Sequence, residues 1–255
     1  MNIFQVKEKY KFTIITINKN NFDGLIKTID SIRNQTYKNF QLVVVDGGST
    51  DGSYDFIKSQ LNSINCIIHE PDSGIYDAQN KGIKQALGEY IIFLNAGDSF
   101  SGPDVLESFV QHNYVGDVVY GNVNLVYPDQ VVERIYPDQI TFDYWLNSVL
   151  CHQVVFFKKD LFPVFGLFDL KLKFCSDHKM FYTLWKDEKI KKIHFDKTIV
   201  NYDMTGLSSN PKNLKLLTKE LLKIKLIHFP TVYKFKLILL SLFLKVKVIF
   251  KLIFS

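Results

Sequence analysis

Four aspartates follow or adjoin short apolar runs in the first hundred residues: Asp46, Asp72, Asp77 and Asp98. Residues just beyond parallel strands share one edge of a sheet, so these carboxylates are expected on a common rim. An acidic rim is unfavourable unless a cation relieves the repulsion, and Mg²⁺ or Mn²⁺ prefers hard oxygen ligands. The pattern therefore predicts a divalent metal site that a diphosphate helps to complete. Taken singly, Asp98 could instead cap a helix or a turn before Pro103.

Two of these acids lie in segments of particular interest, Asp98 in FLNAGDSF and Asp46 in VVVDGGSTDG. Asp98 is the only carboxylate of its segment, so it is the predicted metal ligand. A carboxylate beside a glycine-rich turn can accept hydrogen bonds from a base or ribose, while glycines such as Gly48 let a ligand approach the backbone. For Asp46 the alternative is structural, because Ser49 or Asp51 could simply cap the following helix.

Several other chemistries lack their sequence signatures. The turn after the first apolar run is Asn18-Lys19-Asn20-Asn21, where a dinucleotide-binding protein would have G-x-G-x-x-G, and no Walker A sequence occurs. The three cysteines form no C-x-x-C pair, which argues against a disulfide framework or a four-cysteine zinc site and favours a reducing compartment. Hydride transfer and P-loop chemistry are therefore not predicted.

The elements that must position these residues alternate between two hydrophobic periods. Short apolar runs at Ile14–Ile17, Leu42–Val45, Ile64–Ile68 and Ile91–Leu94 predict strands buried on both faces. Between them, apolar residues recur at helical spacing in three segments. These sets are Leu25, Ile26, Ile29 and Ile32; Tyr54, Ile57 and Leu61; and Ile75, Ala78, Gly82 and Ala86. The alternation predicts an α/β fold, a mainly parallel sheet flanked by helices.

The pattern changes after residue 115. Shorter strands are predicted in VVYGNVNLVY, QVVERIY and HQVVFF, as mixed or antiparallel additions to the sheet. A helix is predicted from Ser176, where four large apolar residues recur at helical spacing behind Asp177.

The formal net charge of +5 is distributed unevenly along the 255 residues. Residues 212–255 hold ten lysines and one acid, Glu220, whereas residues 1–211 hold 21 basic and 25 acidic residues. A nucleic-acid-binding protein would not divide its charge in this way, and no zinc-finger, RRM or helix-turn-helix signature accompanies the lysines. The first twelve residues include four charged ones and no long apolar run, so we expect no signal peptide and a cytoplasmic location.

The polar loops, taken in order, resemble the successive motifs of the family 2 glycosyltransferases. The segments are TIITINKNN, VVVDGGSTDGS, EPDSGIYDAQNKGIKQALGEYIIFLNAGD, HQVVFFKKDLFPVFGLFD and CSDHKMF. The resemblance spans residues 12–207 approximately, and it is closest to the branch that builds bacterial exopolysaccharides, capsules and O-antigens. It implies a GT-A fold, a nucleotide-diphosphate sugar as donor (expected to be a UDP-sugar), a divalent metal (Mn²⁺ or Mg²⁺), and a glycan or lipid-linked acceptor.

The resemblance also assigns residues to the donor site. It implies that Asp46 contacts the nucleotide base, and that Asn95 and Asp98 occupy the family's acidic metal motif with Asp98 as the metal ligand. Gly97 and Asn95 replace acids of the usual motif, which implies a weakened metal site. The full set of implied donor-binding residues is Thr16, Asn18, Asp46, Gly48, Asp72, Asp77, Asn80 and Asn95.

Asp177 in CSDHKMF matches the position of the family's catalytic base, which implies inversion at the anomeric carbon by direct displacement. A carboxylate within hydrogen-bond reach can take the proton of an attacking sugar hydroxyl. The alternative is that Asp177 is the N-cap of the helix that starts there. His152 and Gln153 match a pair that precedes the acceptor region; they could contact donor phosphate or acceptor, or be structural. The Q-x-x-R-W element of processive members is missing, so one sugar per acceptor is expected.

Residues 212–255 are predicted to form a basic amphipathic helical tail after a catalytic domain of residues 1–211, itself divided near residue 100 into donor and acceptor halves. The most apolar stretch of the tail, Leu237–Leu244, is too short to cross a hydrocarbon core that needs about twenty helical residues. Lysines among large apolar side chains instead suit helices in the headgroup region of an anionic membrane, which predicts a peripheral protein on the inner face of a bacterial membrane. The alternative is that these helices pack on the body or form an oligomer interface.

Two other functions stay open at this level. A GT-A-like nucleotidyltransferase would make nucleotide sugars, but such proteins usually have a glycine-rich basic loop after the first strand, where only Lys19 is present. A non-catalytic, membrane-docked scaffold is suggested by the thinned metal motif, and the presence of Asp98 and Asp177 argues against it.

Overall fold

A computed structural model describes residues 10–206 and 210–238 of the chain. The first nine residues, for which no signal peptide is predicted, and residues 239–244 of the apolar stretch Leu237–Leu244 lie outside the described residues.

The first half of the chain alternates strands and helices, as predicted. The strands β1 (Tyr10–Asn18), β2 (Phe40–Asp46), β3 (Cys66–His69) and β4 (Gly88–Phe93) are parallel and lie in the order β3-β2-β1-β4. The helices between them are α1 (Phe22–Arg33), α2 (Ser53–Ser59) and α3 (Ile75–Lys84). The chain adds β2 and β3 on one side of β1 and then returns to add β4 on the other side. Ligands of open α/β sheets bind in the crevice that such a reversal leaves at the carboxyl ends of the strands.

Burial on both faces is confirmed for most of β1, β2 and β4 but is wrong for β3, whose residues are half-buried or exposed. Phe12, Ile14 and Ile15 of β1 have no exposed surface, as expected for a strand covered on both sides. The predicted helical face that includes Leu61 is wrong at that residue, because α2 ends at Ser59 and the Leu61 side chain is 63% exposed.

The second half extends the same sheet with mostly antiparallel strands. They are β5 (Ser99–Phe100), β6 (Val118–Val126), β7 (Val131–Arg134), β8 (Val155–Lys158) and β9 (Lys192–Asp203). β8 lies antiparallel between β4 and β6, and β6 also pairs with β7 antiparallel and with β9 in parallel. The sequence did not predict β9, whose long pairing with β6 contains register shifts beside Gly121 and Asn122.

The remaining helices flank this extension. They are α4 (Val105–Gln111), α5 (Phe142–Asn147), α6 (Leu161–Phe165), α7 (Ser176–Lys186) and α8 (Leu214–His228). The start of α7 at Ser176 confirms the prediction. The strand predicted in HQVVFF begins only at Val155, because His152–Val154 form a 3-10 turn.

The described part of the predicted tail packs on the body. Ile224 and Phe229 are buried, and the Phe229 ring contacts Tyr182 of α7 edge-to-face at 4.9 Å between centroids. Lys225 is also buried; its ammonium donates to the Leu146 carbonyl at 3.1 Å, and burial lowers the pKa of Lys225 to about 8. The tail was predicted to lie on a membrane, with packing on the body or in an oligomer as the alternative. For α8, the structure shows packing on the body. Within the residues described, no helix is long and apolar enough to span a membrane.

Candidate active site

A cleft of about 480 Å³ opens at the carboxyl ends of β1 and β4, where the strand order reverses. This volume lies within the roughly 300–1,000 Å³ that is usual for small-ligand sites. Asn18 is the last residue of β1, and Asn95 and Asp98 lie in the loop after β4. The other polar or charged lining residues are Lys19, Asn21, Asp72, Gln153, Tyr202, Asp203 and Thr205.

Polar side chains at the ends of β1, β2 and β3 form a hydrogen-bonded row beside the cleft. Asp46 has no exposed surface, and its Oδ1 accepts from Asn18 Nδ2 at 2.8 Å and from Ser49 Oγ at 2.5 Å. Its Oδ2 accepts from the Ser49 amide at 2.9 Å and from His69 Nδ1 at 2.7 Å, and the His69 ring stacks on Tyr54. Burial would raise the pKa of Asp46, but these hydrogen bonds lower it below its ordinary value.

This row fixes Asn18, which lines the cleft. The four hydrogen bonds to Asp46 match the acceptor capacity of a carboxylate, so a nucleotide base could reach Asp46 only by replacing one of the partners. Direct contact between Asp46 and the base stays a prediction.

Asp72 forms part of the cleft wall beside the glycine-rich turn. Its Oδ1 accepts from the Gly74 amide at 2.9 Å, and a Cβ built on Gly47 would lie 2.0 Å from Asp72 Oδ2. Gly47 is therefore required for the close approach of this carboxylate. Gly48 has φ of 79°, the left-handed region that favours glycine, and it packs beside Pro71.

Asp98 is buried at the base of the cleft. Its Oδ1 accepts from the Asp203 amide at 3.0 Å, and its Oδ2 accepts from Gln153 Nε2 at 3.2 Å. Burial raises the pKa of Asp98 to about 6, against the lowering effect of these hydrogen bonds, and the charge of Asp203 adds to the rise. Asp203 is a third carboxylate of the cleft, in addition to Asp72 and Asp98, and it was not predicted from the sequence. Its position at the end of β9, after the apolar pair Ile199–Val200, is the signal that could have identified it.

The structure explains why residue 97 is a glycine and not one of the acids of the usual metal motif. Gly97 has φ of 110°, and a Cβ there would lie 2.7 Å from Asp203 Oδ2. An aspartate at this position would be strained by its backbone and crowded by Asp203. Asn95 lines the cleft and accepts a long hydrogen bond of 3.4 Å from Gln79 Nε2.

A divalent metal fits these residues only if the donor shares its coordination. Within residues 10–206 and 210–238, no group of three His, Cys, Asp or Glu side chains could hold a metal. Mg²⁺ commonly takes one or two protein carboxylates and completes its shell with water and phosphate oxygens, which Asp98 and Asp203 could satisfy.

Asp177 lies in a separate buried network. The N-cap interpretation is wrong, because Cys175 is the N-cap of α7 and Asp177 is its second residue. The Asp177 Oδ1 accepts from the Tyr76 hydroxyl at 2.8 Å and from the His178 amide at 2.9 Å, while its Oδ2 accepts from His152 Nδ1 at 2.9 Å. Burial would raise the pKa of Asp177, but the His178 and His152 rings and the Tyr76 hydroxyl hold it well below its usual range.

The consecutive residues His152 and Gln153 connect the two networks. His152 binds Asp177 through one ring nitrogen and meets Gln79 Nε2 at 3.0 Å through the other, while Gln153 binds Asp98. Gln153 lines the cleft, whereas His152 and Asp177 are not among its described lining residues. The predicted metal ligand and the predicted base are thus linked through one 3-10 turn.

Three other predicted donor residues have different surroundings. Asn80 donates to the Phe168 carbonyl and accepts from the Phe168 amide, both at 2.9 Å, and Asp77 accepts from the Ser73 amide and lies 3.6 Å from the Lys81 ammonium. The structure does not place these two side chains on the cleft. Thr16 is buried within β1, and its hydroxyl has no hydrogen-bond partner among the described residues. The buried Asn18 Oδ1 also has no hydrogen-bond partner among the described residues, so a bound ligand could donate a hydrogen bond to it.

Sequence relatives extend over most of the chain. Residues 13–162 match the family model for glycosyl transferase family 2. A PGL/p-HBAD biosynthesis glycosyltransferase of Mycobacterium bovis BCG is 30% identical over 219 residues, covering 83% of this chain and 82% of that protein. An uncharacterized glycosyltransferase of Mycobacterium tuberculosis is 31% identical over 204 residues, covering 78% of this chain and 77% of that protein.

Solved structures show the same fold at lower identity. Staphylococcus aureus TarS 1–349 in complex with UDP has a TM-score of 0.63 at 20% identity, covering 86% of this chain and 67% of that chain. A Pyrobaculum calidifontis mannosyltransferase in complex with GDP-Man and Mn²⁺ has a TM-score of 0.57 at 19% identity, covering 75% of this chain and 56% of that chain. These likenesses confirm the expected GT-A fold. Together with the family match over more than half of its length, they show that the chain is a glycosyltransferase and belongs to glycosyl transferase family 2.

Proposed function

We propose that this enzyme transfers one sugar from a nucleotide-diphosphate sugar to a glycan or lipid-linked acceptor in bacterial surface polysaccharide synthesis, with inversion at the anomeric carbon. The observation that carries the proposal is the link between Asp98 and Asp177 through His152 and Gln153, beside a cleft at the reversal of strand order. The TarS structures were solved with UDP and with UDP-GlcNAc, which supports a UDP-sugar as the donor.

The cleft residues would hold the donor by their position. Asn18 and Asp72 line the cleft beside the glycine-rich turn and would hold the nucleoside, whereas Asp98 and Asp203 would hold a metal-bound diphosphate. A bound Mn²⁺ or Mg²⁺ would neutralise charge that develops on the departing diphosphate. Gln153 would keep the Asp98 carboxylate oriented, because it donates to the oxygen that the Asp203 amide leaves free.

Asp177 would accept the proton of the attacking acceptor hydroxyl. Its Oδ2 accepts one hydrogen bond, from His152, and so retains acceptor capacity. The low pKa of Asp177 keeps it ionised before the reaction, and a negatively charged donor nearby would raise its proton affinity. His152 would hold the Asp177 carboxylate in place through its hydrogen bond to Oδ2.

A panel of nucleotide sugars tests the activity. We expect hydrolysis or transfer with one UDP-sugar that requires Mn²⁺ or Mg²⁺, and a product whose anomeric proton coupling in NMR shows inverted configuration. Release of nucleoside triphosphate on adding pyrophosphate would instead indicate a nucleotidyltransferase. A protein that binds UDP-sugars but neither hydrolyses nor transfers them under any metal condition would indicate a scaffold.

We also propose that the outward side of the tail rests on an anionic membrane. On α8, Leu222 and Ile227 are exposed beside exposed lysines such as Lys219 and Lys223. Large apolar side chains interspersed with lysines suit the headgroup region of anionic lipid.

Sedimentation of the full chain with anionic liposomes tests this contact. We expect L222E and I227E to weaken sedimentation, and V164E, a matched change at an exposed valine of the body, to leave it unchanged. Equal effects of all three substitutions, or no sedimentation of the wild type, would refute the membrane contact.

A further inference from the structure

A second cavity, of about 290 Å³, lies between the segments Ser73–Asp77 and Leu170–Phe174; we call it the side groove. It shares Gly74 and Ile75 with the donor cleft, so ligands in the two cavities would meet across these residues. Tyr76 lines the side groove and donates its hydroxyl to Asp177 at 2.8 Å. The groove is therefore next to both the donor site and the proposed base.

The lining of the side groove combines cationic and apolar groups. Lys171 and Lys173 are exposed, and within the described residues neither ammonium forms a salt bridge with a carboxylate; the Lys173 ammonium lies over the Phe174 ring, 5.5 Å from its centroid. Leu170 is 57% exposed. The acid of the groove, Asp77, is already engaged by the Ser73 amide and by Lys81. This surface is complementary to a ligand that carries an anionic group on an apolar chain.

Carboxylates hold both ends of the wall formed by residues 170–174. At one end, Asp169 accepts from the Lys171 amide at 3.0 Å. At the other end, Glu220 of α8 accepts from the amides of Lys173 and Phe174, each at 2.9 Å. One turn earlier on the same helix, the Leu217 carbonyl meets Cys175 Sγ at 3.5 Å. The one acid of the basic tail is thus directed at the wall of the side groove.

We propose that the side groove receives the acceptor through an anionic group attached to an apolar chain, and that Glu220 is a positioning residue through which α8 holds the groove wall. The inference rests on the proposed function, because it assigns the second substrate of the same reaction. A carboxylate that accepts two amide hydrogen bonds fixes both the position and the direction of a backbone segment. The tail would then govern use of the acceptor and leave donor binding unchanged.

Photolabelling of the full chain tests the groove, with a diazirine-bearing dodecyl phosphate as the probe in the presence of UDP and Mn²⁺. We expect labelled peptides from residues 73–77 or 170–174, and about fivefold weaker labelling of K171A/K173A, since each lysine contributes a charge-assisted contact. The matched variant K189A/K191A, at two other exposed lysines, should label as the wild type does.

Two further probes identify what the groove recognises. A diazirine-bearing dodecyl maltoside, which lacks the charge, should label weakly, and inorganic phosphate at equal concentration should not compete, because it lacks the apolar chain. Labelling confined to residues 214–238, equal labelling by the uncharged probe, or full competition by inorganic phosphate would overturn the assignment.

Substitutions of Glu220 test its positioning role. E220Q loses one amide acceptor and E220A loses both, so groove labelling should fall in that order, whereas the UDP-induced rise in melting temperature should not change. E188Q, at an exposed acid after α7, is the matched control. Wild-type labelling of E220Q and E220A would refute the role of Glu220. A wild type that fails to bind any UDP-sugar would refute the proposed function, whereas one that binds UDP-sugar without groove labelling would refute this inference alone.

Discussion

The substitution Asp98→Asn should stabilise the metal-free protein while abolishing its metal-dependent activity. Burial raises the pKa of Asp98 from 3.8 to about 6, so the ionised carboxylate is disfavoured in the folded state. A shift of about two pKa units corresponds to roughly 3 kcal/mol. Asparagine keeps the acceptor for the Asp203 amide, and the Gln153 amide can rotate to accept from the new amide group.

The sign of the pH dependence follows from the raised pKa. Between the unfolded value of 3.8 and the folded value of about 6, the folded wild type holds more protons than the unfolded chain. Its free energy of unfolding therefore falls as pH rises through this window. Above about pH 6, the whole of this stability has been lost. The free energy of unfolding of D98N should exceed that of the wild type by about 3 kcal/mol at pH 8 and by roughly half of that at pH 5.

Urea unfolding of both proteins in EDTA at pH 5 and pH 8 measures this difference. D104N is the matched control, and it should lower the free energy of unfolding at pH 8. Asp104 pairs with Lys197, which lowers the pKa of Asp104 and so favours its ionised form in the folded state. A D98N protein that is less stable than the wild type at pH 8, or whose advantage is the same at both pH values, would refute the burial argument. With Mn²⁺ and UDP added, the melting temperature should rise for the wild type and not for D98N.

Three other substitutions or deletions test separate parts of the structure. Asp177→Asn should leave the Kd for the donor near its wild-type value and lower kcat about a hundredfold or more, as for loss of a general base; normal turnover, or loss of donor binding, would contradict that role. Gly47→Ala should displace Asp72 and raise the calorimetric Kd for UDP about tenfold, because a Cβ there lies 2.0 Å from Asp72 Oδ2; an unchanged Kd would show that Asp72 does not form the donor wall. A chain truncated after Pro211 should be less soluble and melt at lower temperature, since burial of each large apolar side chain such as Ile224 or Phe229 contributes about 1.5–3 kcal/mol; an unchanged melting temperature would show that α8 adds no stability to the body.

The parallel half of the fold was predictable because its strands are apolar on both faces and its helices have regular spacing. The strand ends at Asn18 and Asp46, and the loop after β4 that carries Asp98, followed directly from that pattern. β9 was not predictable in the same way, because its apolar residues are interrupted by Asp196 and Lys197 beside the register shifts. The omission of β9 is the reason that Asp203 was missed.

The linkage within the site could not be derived from sequence. His152 and Asp177 are 25 residues apart, and no local pattern indicates that their side chains meet. The His152 side chain binds Asp177 and the Gln153 side chain binds Asp98, and this arrangement depends on the 3-10 conformation of residues 152–154. The composition of HQVVFF is typical of a strand, so the sequence did not predict the 3-10 conformation. The tail was likewise ambiguous, since its large apolar residues suit either lipid or an aromatic surface such as the one that Phe142 and Tyr182 present to Phe229.

The adjacency of His152 and Gln153 has an evolutionary consequence. Given the roles proposed for Asp98 and Asp177, we expect donor and acceptor preferences to change together, because the adjacent residues His152 and Gln153 bind these two carboxylates. A change that repacks either neighbour displaces the shared backbone, so its effect on fitness depends on the residue opposite. Directed evolution toward a new sugar should therefore proceed through cleft residues such as Thr205, whose hydrogen bonds are to Asp203 and not to this dipeptide.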